Sequence, residues 1–285
     1  MAGSWKVTRL WGIDVSVHWT FLLLIGWISL SGILTGAATV TVLYQTSIVL
    51  AVFGCVLLHE YGHAFAARYF GIPTHGITLL PIGGVAQLDR IPRNPWQEFV
   101  IAIAGPAVNV VIALALMLIT QNFALFQFLA PNVASLSFSW LDHLLMVNVG
   151  LVMFNLLPSF PMDGGRVLRA LLATSNDYEV ATRWAARIGK FVAAILFVVG
   201  FVSNPMLMLV AAFVAFAGEA EYQNVVEENR RYAKPMWATV LDSVRTSPGT
   251  FQAHWGHEPS NSPNSRIVHV EITTPDGQTT EYWTR

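Results

Sequence analysis

Charge is what this sequence has least of. Asp, Glu, Lys and Arg make up 12% of its 285 residues, where soluble domains carry about 25%. With 54% of the chain hydrophobic and a mean hydropathy of +0.52, there is too little polar surface to cover a water-facing domain of this size. An ordinary soluble domain is excluded, and a multi-pass membrane protein is the class that remains. A net charge of −1 gives no basic field for nucleic acid, so no nucleic-acid partner is expected. Cysteine is nearly absent as well. Cys55 stands alone, so no intramolecular disulfide can form; it reads as a small core residue of an apolar helix. Phosphate-binding loops of the Gly-Lys-Ser/Thr type are missing.

Six apolar segments can be drawn, at about 17–35, 43–68, 97–119, 141–158, 185–202 and 205–222. The first follows Lys6 and Arg9 but is longer than the 7–15-residue core of a signal peptide, so it reads as a retained helix. Lys and Arg are absent from the connections 36–42, 120–140 and 203–205. The basic residues gather in the alternate connections, at Arg68, Arg90 and Arg93, at Arg166 to Lys190, and from Arg230 onward. Positive charge is retained on the cytoplasmic side. The asymmetry therefore predicts six spans in a plasma membrane with both termini cytoplasmic. Between the second and third spans, HGITLLPIGGVAQL at 75–88 places β-branched residues around Pro81 and Gly83-Gly84. That pattern predicts a short membrane-associated β-hairpin. The expected fold is an all-α membrane protein with a core over 1–225 and a small α/β tail over 226–285. In the tail, RIVHVEITTPDGQTTEYWTR predicts a hairpin around Pro-Asp-Gly.

One ionisable cluster lies inside an apolar segment. LLHEYGHAFA at 57–66 carries His59, Glu60 and His63 in the second span. Charged residues at such depth cost about 2.5–3.5 kcal/mol each, and a cluster there is a functional site by default. Histidines four apart share one helix face and can bind one ion, and the glutamate beside them can take a proton from water. That is the pattern of a zinc hydrolase. Catalytic zinc takes three protein ligands, however, and leaves a fourth position open. Asp163, in NLLPSFPMDGGR at 155–166, is the carboxylate placed to be the third. Pro158 and Pro161 break the fourth helix there, and Gly164-Gly165 allows a sharp turn. On capping statistics alone Asp163 would cap a helix over 166–173. Topology favours the ligand, because the second and fourth spans run the same way and bring both motifs to similar depth.

Asn148 and Asn155, seven apart, can share a face of the fourth helix, either hydrogen-bonding between helices or meeting substrate. Glu98 suits a helix N-terminus, and His18 an interface position. HWGHE at 254–258 has the wrong order for a metal motif and lies in a loop-like stretch.

Taken together, HEYGH at 59–63, GGVAQLDRIPRNPWQEFVIAIAGPAVN at 83–109 and NLLPSFPMDGGR resemble the site-2 proteases, intramembrane zinc metalloproteases, over most of residues 5–222. The resemblance implies one zinc held by His59, His63 and Asp163, with Glu60 as the catalytic base. It further implies that Asn109 helps to hold substrate or the oxyanion, and that the substrate is a transmembrane segment of another protein. LWGIDVSVHWTFLLL before the first span is similar to the bacterial sporulation-factor-processing branch. About 60 residues of tail cannot hold that branch's nucleotide-binding repeats, so nucleotide regulation is not expected. Two other readings stand beside this one: a membrane-embedded zinc endopeptidase acting on cytosol-exposed peptides, and a non-catalytic membrane metal-binding relative.

Overall fold

The computed structural model describes residues 3–81, 83–120 and 139–233, with the backbone of 252–257, 268–273 and 279–284. The chain divides into two compact units, Met1–Gln223 and Asn224–Arg285.

The first unit opens with a hairpin of β1 (Ser4–Leu10) and β2 (Ile13–His18). Trp11 and Gly12 close it at φ 51° and 84°, the two successive positive values of a tight hairpin turn. Helix α1 (Trp19–Leu34) follows, with His18 at its N-cap. Then come α2 (Thr39–Tyr69), β3 (Thr74–Leu80), β4 (Gly83–Leu88), α3 (Pro95–Thr120), α4 (Trp140–Asn155), α5 (Asp163–Ala173), α6 (Tyr178–Ser203) and α7 (Pro205–Ala233). Helices α2, α3, α6 and α7 are long and apolar enough to cross a membrane, whereas α1 and α4 are apolar but have 16 residues each. Sixteen residues rise about 24 Å, short of the ~30 Å hydrocarbon layer. The fold is thus a mostly helical membrane protein with four candidate spans and a small sheet.

That sheet corrects the all-α expectation. The hairpin predicted at 75–88 is β3–β4, but it joins the N-terminal hairpin in a four-stranded sheet ordered β1-β2-β3-β4. Strands β2 and β3 pair in parallel, Asp14 opposite Gly76 and Val17 opposite Leu79. The alternation in IDVSVH after Trp-Gly carried this signal. Ile13, Val15 and Ile77 bury against Tyr61 and Ala64 of α2. The Trp11 ring meets Tyr61 edge-on at 5.2 Å, and Arg68 Nη2 donates to the Trp11 carbonyl at 2.9 Å. The sheet therefore packs on the same helical turns that carry HEYGH. Cys55 is buried with Ala113, Leu116, Leu144 and Leu145 where α2, α3 and α4 meet.

Helix α5 is anchored by a buried cation. Arg169 is wholly buried, and its Nε donates to Glu98 Oε1 of α3 at 2.8 Å while Nη1 donates to Glu221 of α7 at 2.6 Å. Its guanidinium also lies 4.9 Å from the ring centres of Phe160 and Tyr178. Glu98 is thus a buried ion-pair partner as well as a first-turn acid of α3. Charges this deep persist only when paired, so the pair fixes α5 against α3. In the second unit, β5 (Gln252–His257), β6 (Val268–Thr273) and β7 (Thr279–Thr284) form an antiparallel sheet in that order. The stretch read as loop around 254–257 is strand β5; Glu258, the Pro-Asp-Gly turn and most of the 120–140 connection lie outside the described residues.

Candidate metal centre

His59 and His63 project from one face of α2 toward α3 and the first turn of α5. Their Nε2 atoms are 3.1 Å apart. Asp163 Oδ2 lies 3.1 Å from His59 Nε2 and 3.3 Å from His63 Nε2. Three donors at about 2.0–2.1 Å from a tetrahedral ion would stand about 3.3–3.4 Å from one another, so this triangle fits one ion with a fourth corner open. The three residues form the metal-capable cluster among the described residues.

Each imidazole is oriented through its other nitrogen. His63 Nδ1 donates to the Ile101 carbonyl at 2.7 Å, and His59 Nδ1 donates to Asn109 Oδ1 at 2.5 Å. Both bonds leave the Nε2 lone pair free for a metal. A relay continues behind His59: Asn109 Nδ2 donates to Asn148 Oδ1 at 2.9 Å, and Asn148 Nδ2 donates to the Leu144 carbonyl at 2.8 Å. Asn109 and Asn148 are both fully buried. Their amides run in series to His59, the interhelical hydrogen bonding that was one of the two readings for Asn148. Asn155, the last residue of α4, is half-buried, with no side-chain hydrogen bond among the described residues.

Asp163 does not cap a helix over 166–173. Helix α5 begins at Asp163 itself, and the cap position, Met162, makes no side-chain capping bond. The carboxylate is therefore free to face α2. Gly164 and Gly165 lie inside the helix, where a Cβ would overlap the backbone of Leu156 and Leu157, or of Ser159. They serve close packing rather than a turn.

Gly105 was not singled out by the sequence. A Cβ there would overlap His63 Nε2 and lie 2.7 Å from His59 Nε2. The only residue type that leaves room between these nitrogens is glycine, so the space in front of them is built to stay open for an ion. Its signal was the small pair Ala104-Gly105 before Pro106, inside a helix that crosses α2. Glu60, beside His59, accepts from the Ala86 N–H of β4 at 3.1 Å. Gly84 of the same strand leaves space for it, since a Cβ at 84 would be 2.6 Å from Glu60 Cγ. His18 stands apart, accepting from Thr20 N–H at 3.4 Å.

Two imidazoles and a carboxylate stand where they could hold one metal ion, and a second carboxylate, Glu60, stands next to them. The chain belongs to peptidase family M50, whose sequence profile matches residues 47–137 and 124–199. It is 38% identical over 225 residues to a zinc metalloprotease of Methanocaldococcus jannaschii, covering 79% of this chain and 62% of that protein. It is 28% identical over 129 residues to stage IV sporulation protein FB of Bacillus subtilis, covering 45% of this chain and 41% of that one. A solved structure, a site-2 protease from Methanocaldococcus jannaschii, is similar with a TM-score of 0.55 at 36% identity, covering 77% of this chain and 95% of the other. Against the first curated relatives the chain spans between 50% and 63% of their length.

Proposed function

We propose that this chain is an intramembrane zinc metalloprotease that hydrolyses peptide bonds in or near transmembrane segments of other membrane proteins. The observation that carries the reading is the His59–His63–Asp163 triangle beside Glu60, inside a helix apolar enough to cross a membrane. His59, His63 and Asp163 would hold the ion, a nitrogen–oxygen donor set that suits zinc. Zinc bound there supplies a Lewis acid that makes water acidic near neutral pH. Glu60 takes a proton from water at its free carboxylate oxygen and returns it to the departing amide nitrogen. The relay through Asn109 and Asn148 keeps His59 in one orientation throughout. Asn155, half-buried at the end of α4, stays a candidate substrate contact.

A helical substrate hides its carbonyls in hydrogen bonds and must unwind before it is cut. Strand β4 is the edge of the sheet and borders Glu60, so an unwound segment pairs there as an added strand. The test is a matched pair of substrates, reconstituted in vesicles with and without the transmembrane segment. Cleavage that requires the segment supports the reading; equal cleavage of the soluble peptide would assign the enzyme to cytosol-exposed peptides instead.

The arrangement proposed in the plasma membrane is six spans, with α1 and α4 joining the four longer helices, and both termini cytoplasmic. The basic residues after α2, around α5 and after α7 support it. Single cysteines at position 38 are expected to react with an impermeant thiol reagent on intact cells, and those at 92 or 230 only after lysis. The reverse pattern overturns the topology.

A further inference from the structure

The metal centre makes no use of the basic face of α6. Arg183, Arg187 and Lys190 stand four and three positions apart, hence on one side of the helix. With Ala186, and with Glu219 and Tyr222 of α7, they line a cavity of about 430 Å³. The carboxylate in this cavity is already taken. Lys190 Nζ pairs with Glu219 Oε2 at 2.5 Å, and Gln223 Nε2 donates to Glu219 Oε1 at 2.7 Å. Arg183 pairs with Glu179 at 3.4 Å and its guanidinium lies 5.7 Å from the centre of the Tyr222 ring, while its Nε is buried without a hydrogen-bond partner. Arg187 has no acidic partner among the described residues; its guanidinium lies 5.1 Å from the centre of the Trp184 ring. Two guanidinium groups one turn apart therefore line a concave space, and the positive charge of Arg187 is left unmatched there. Their planar forks suit the oxygens of a phosphate.

The position of the cavity narrows the ligand. No Asp, Glu, Lys, Arg or His occurs between Lys190 and Glu219, a stretch that covers the second half of α6, the turn at Asn204 and the first half of α7. Side chains just beyond the cavity are apolar and exposed: Phe191 (68%), Phe213 (51%) and Phe216 (75%). Both helices are candidate membrane spans. The cavity thus opens where their uncharged length ends, at the level of lipid headgroups. Trp184, half exposed beside it, is the aromatic type that favours this boundary. Phe191 lies four residues beyond Arg187, on the same face, where an acyl chain would continue from the headgroup.

We propose that the cavity between α6 and α7 binds the phosphate of an anionic phospholipid. The site rests on α6 and α7 lying in a bilayer and is independent of the metal centre. Basic pockets between spanning helices hold such headgroups, and each basic residue near an anionic surface contributes about a fivefold preference. Arg187 is exposed, so Arg187→Gln leaves the packing of α6 unchanged. The full-length protein in micelles is titrated with phosphatidylglycerol or phosphatidylcholine of identical acyl chains, and retained lipid is counted by native mass spectrometry. One phosphatidylglycerol per chain is expected, preferred over phosphatidylcholine by about fivefold or more. Arg187→Gln should reduce the preference about fivefold, Arg187→Lys less, and metal content should stay at the wild-type level in both. Equal retention of the two lipids by the wild type, or an unchanged preference in Arg187→Gln, overturns the proposal. Displacement of the lipid by millimolar inorganic phosphate would make the cavity a free-anion site, which overturns the lipid assignment as well.

Discussion

Glu60→Gln is expected to lower peptide hydrolysis by about 10²–10⁴-fold while the purified protein still holds one zinc per chain. The donor triangle is complete without Glu60, because its three edges run between His59, His63 and Asp163. Glutamine is nearly isosteric and its amide oxygen can still accept from the Ala86 N–H, so the side chain stays seated against β4. What it loses is the capacity to take a proton at working pH. Metal analysis and single-turnover cleavage on the same preparation separate the two effects. Turnover at the wild-type rate with zinc bound would remove Glu60 from proton transfer, whereas loss of zinc would make it part of the metal shell.

Asp163→Asn is expected to abolish cleavage by a different route, through loss of the metal. Removing a group that merely orients a ligand costs about 10–100-fold in metal affinity; removing an anionic ligand costs more, so zinc binding should fall by more than about 100-fold. Asparagine is as good a helix N-cap as aspartate. A capping role would therefore leave the variant unchanged, and the cap position of α5 is Met162 in any case. Gly105→Ala should give the same loss with every ligand present, since the added methyl would overlap the nitrogens that face the ion. Competition with a chromophoric chelator measures both variants without reference to activity. Wild-type zinc affinity in Asp163→Asn would leave the centre with two histidines and no third protein ligand.

Among the local features, those set by chain periodicity were legible. The HEYGH spacing places two imidazoles on one face whatever the rest of the fold does, because a helix repeats every 3.6 residues. The hairpin around Pro81 followed from alternation and turn residues. The N-terminal hairpin is not legible in the same way, because β1 and β2 lead directly into an apolar helix and their pairing with β3 joins strands about 60 residues apart. Glu98 and Arg169 each had an adequate local explanation, a helix N-terminus and a cytoplasmic charge. Their 2.8 Å contact spans 71 residues, and no local pattern announces it.

The sequence by itself determined that this is a membrane protein, since 12% charged residues cannot cover a soluble surface. It also determined that an ionisable cluster in an apolar helix needs a partner to offset its burial. The tertiary structure decided which partner. It brought Asp163 across 104 positions to His59, gave Asn109 and Asn148 to the support of that histidine, and made Gly105 the residue that keeps the centre open. The physical reason is that donor geometry of a few ångströms depends on how three helices cross. Crossing is fixed by packing at Gly105 and by the buried Arg169–Glu98 pair, contacts between segments far apart in the chain.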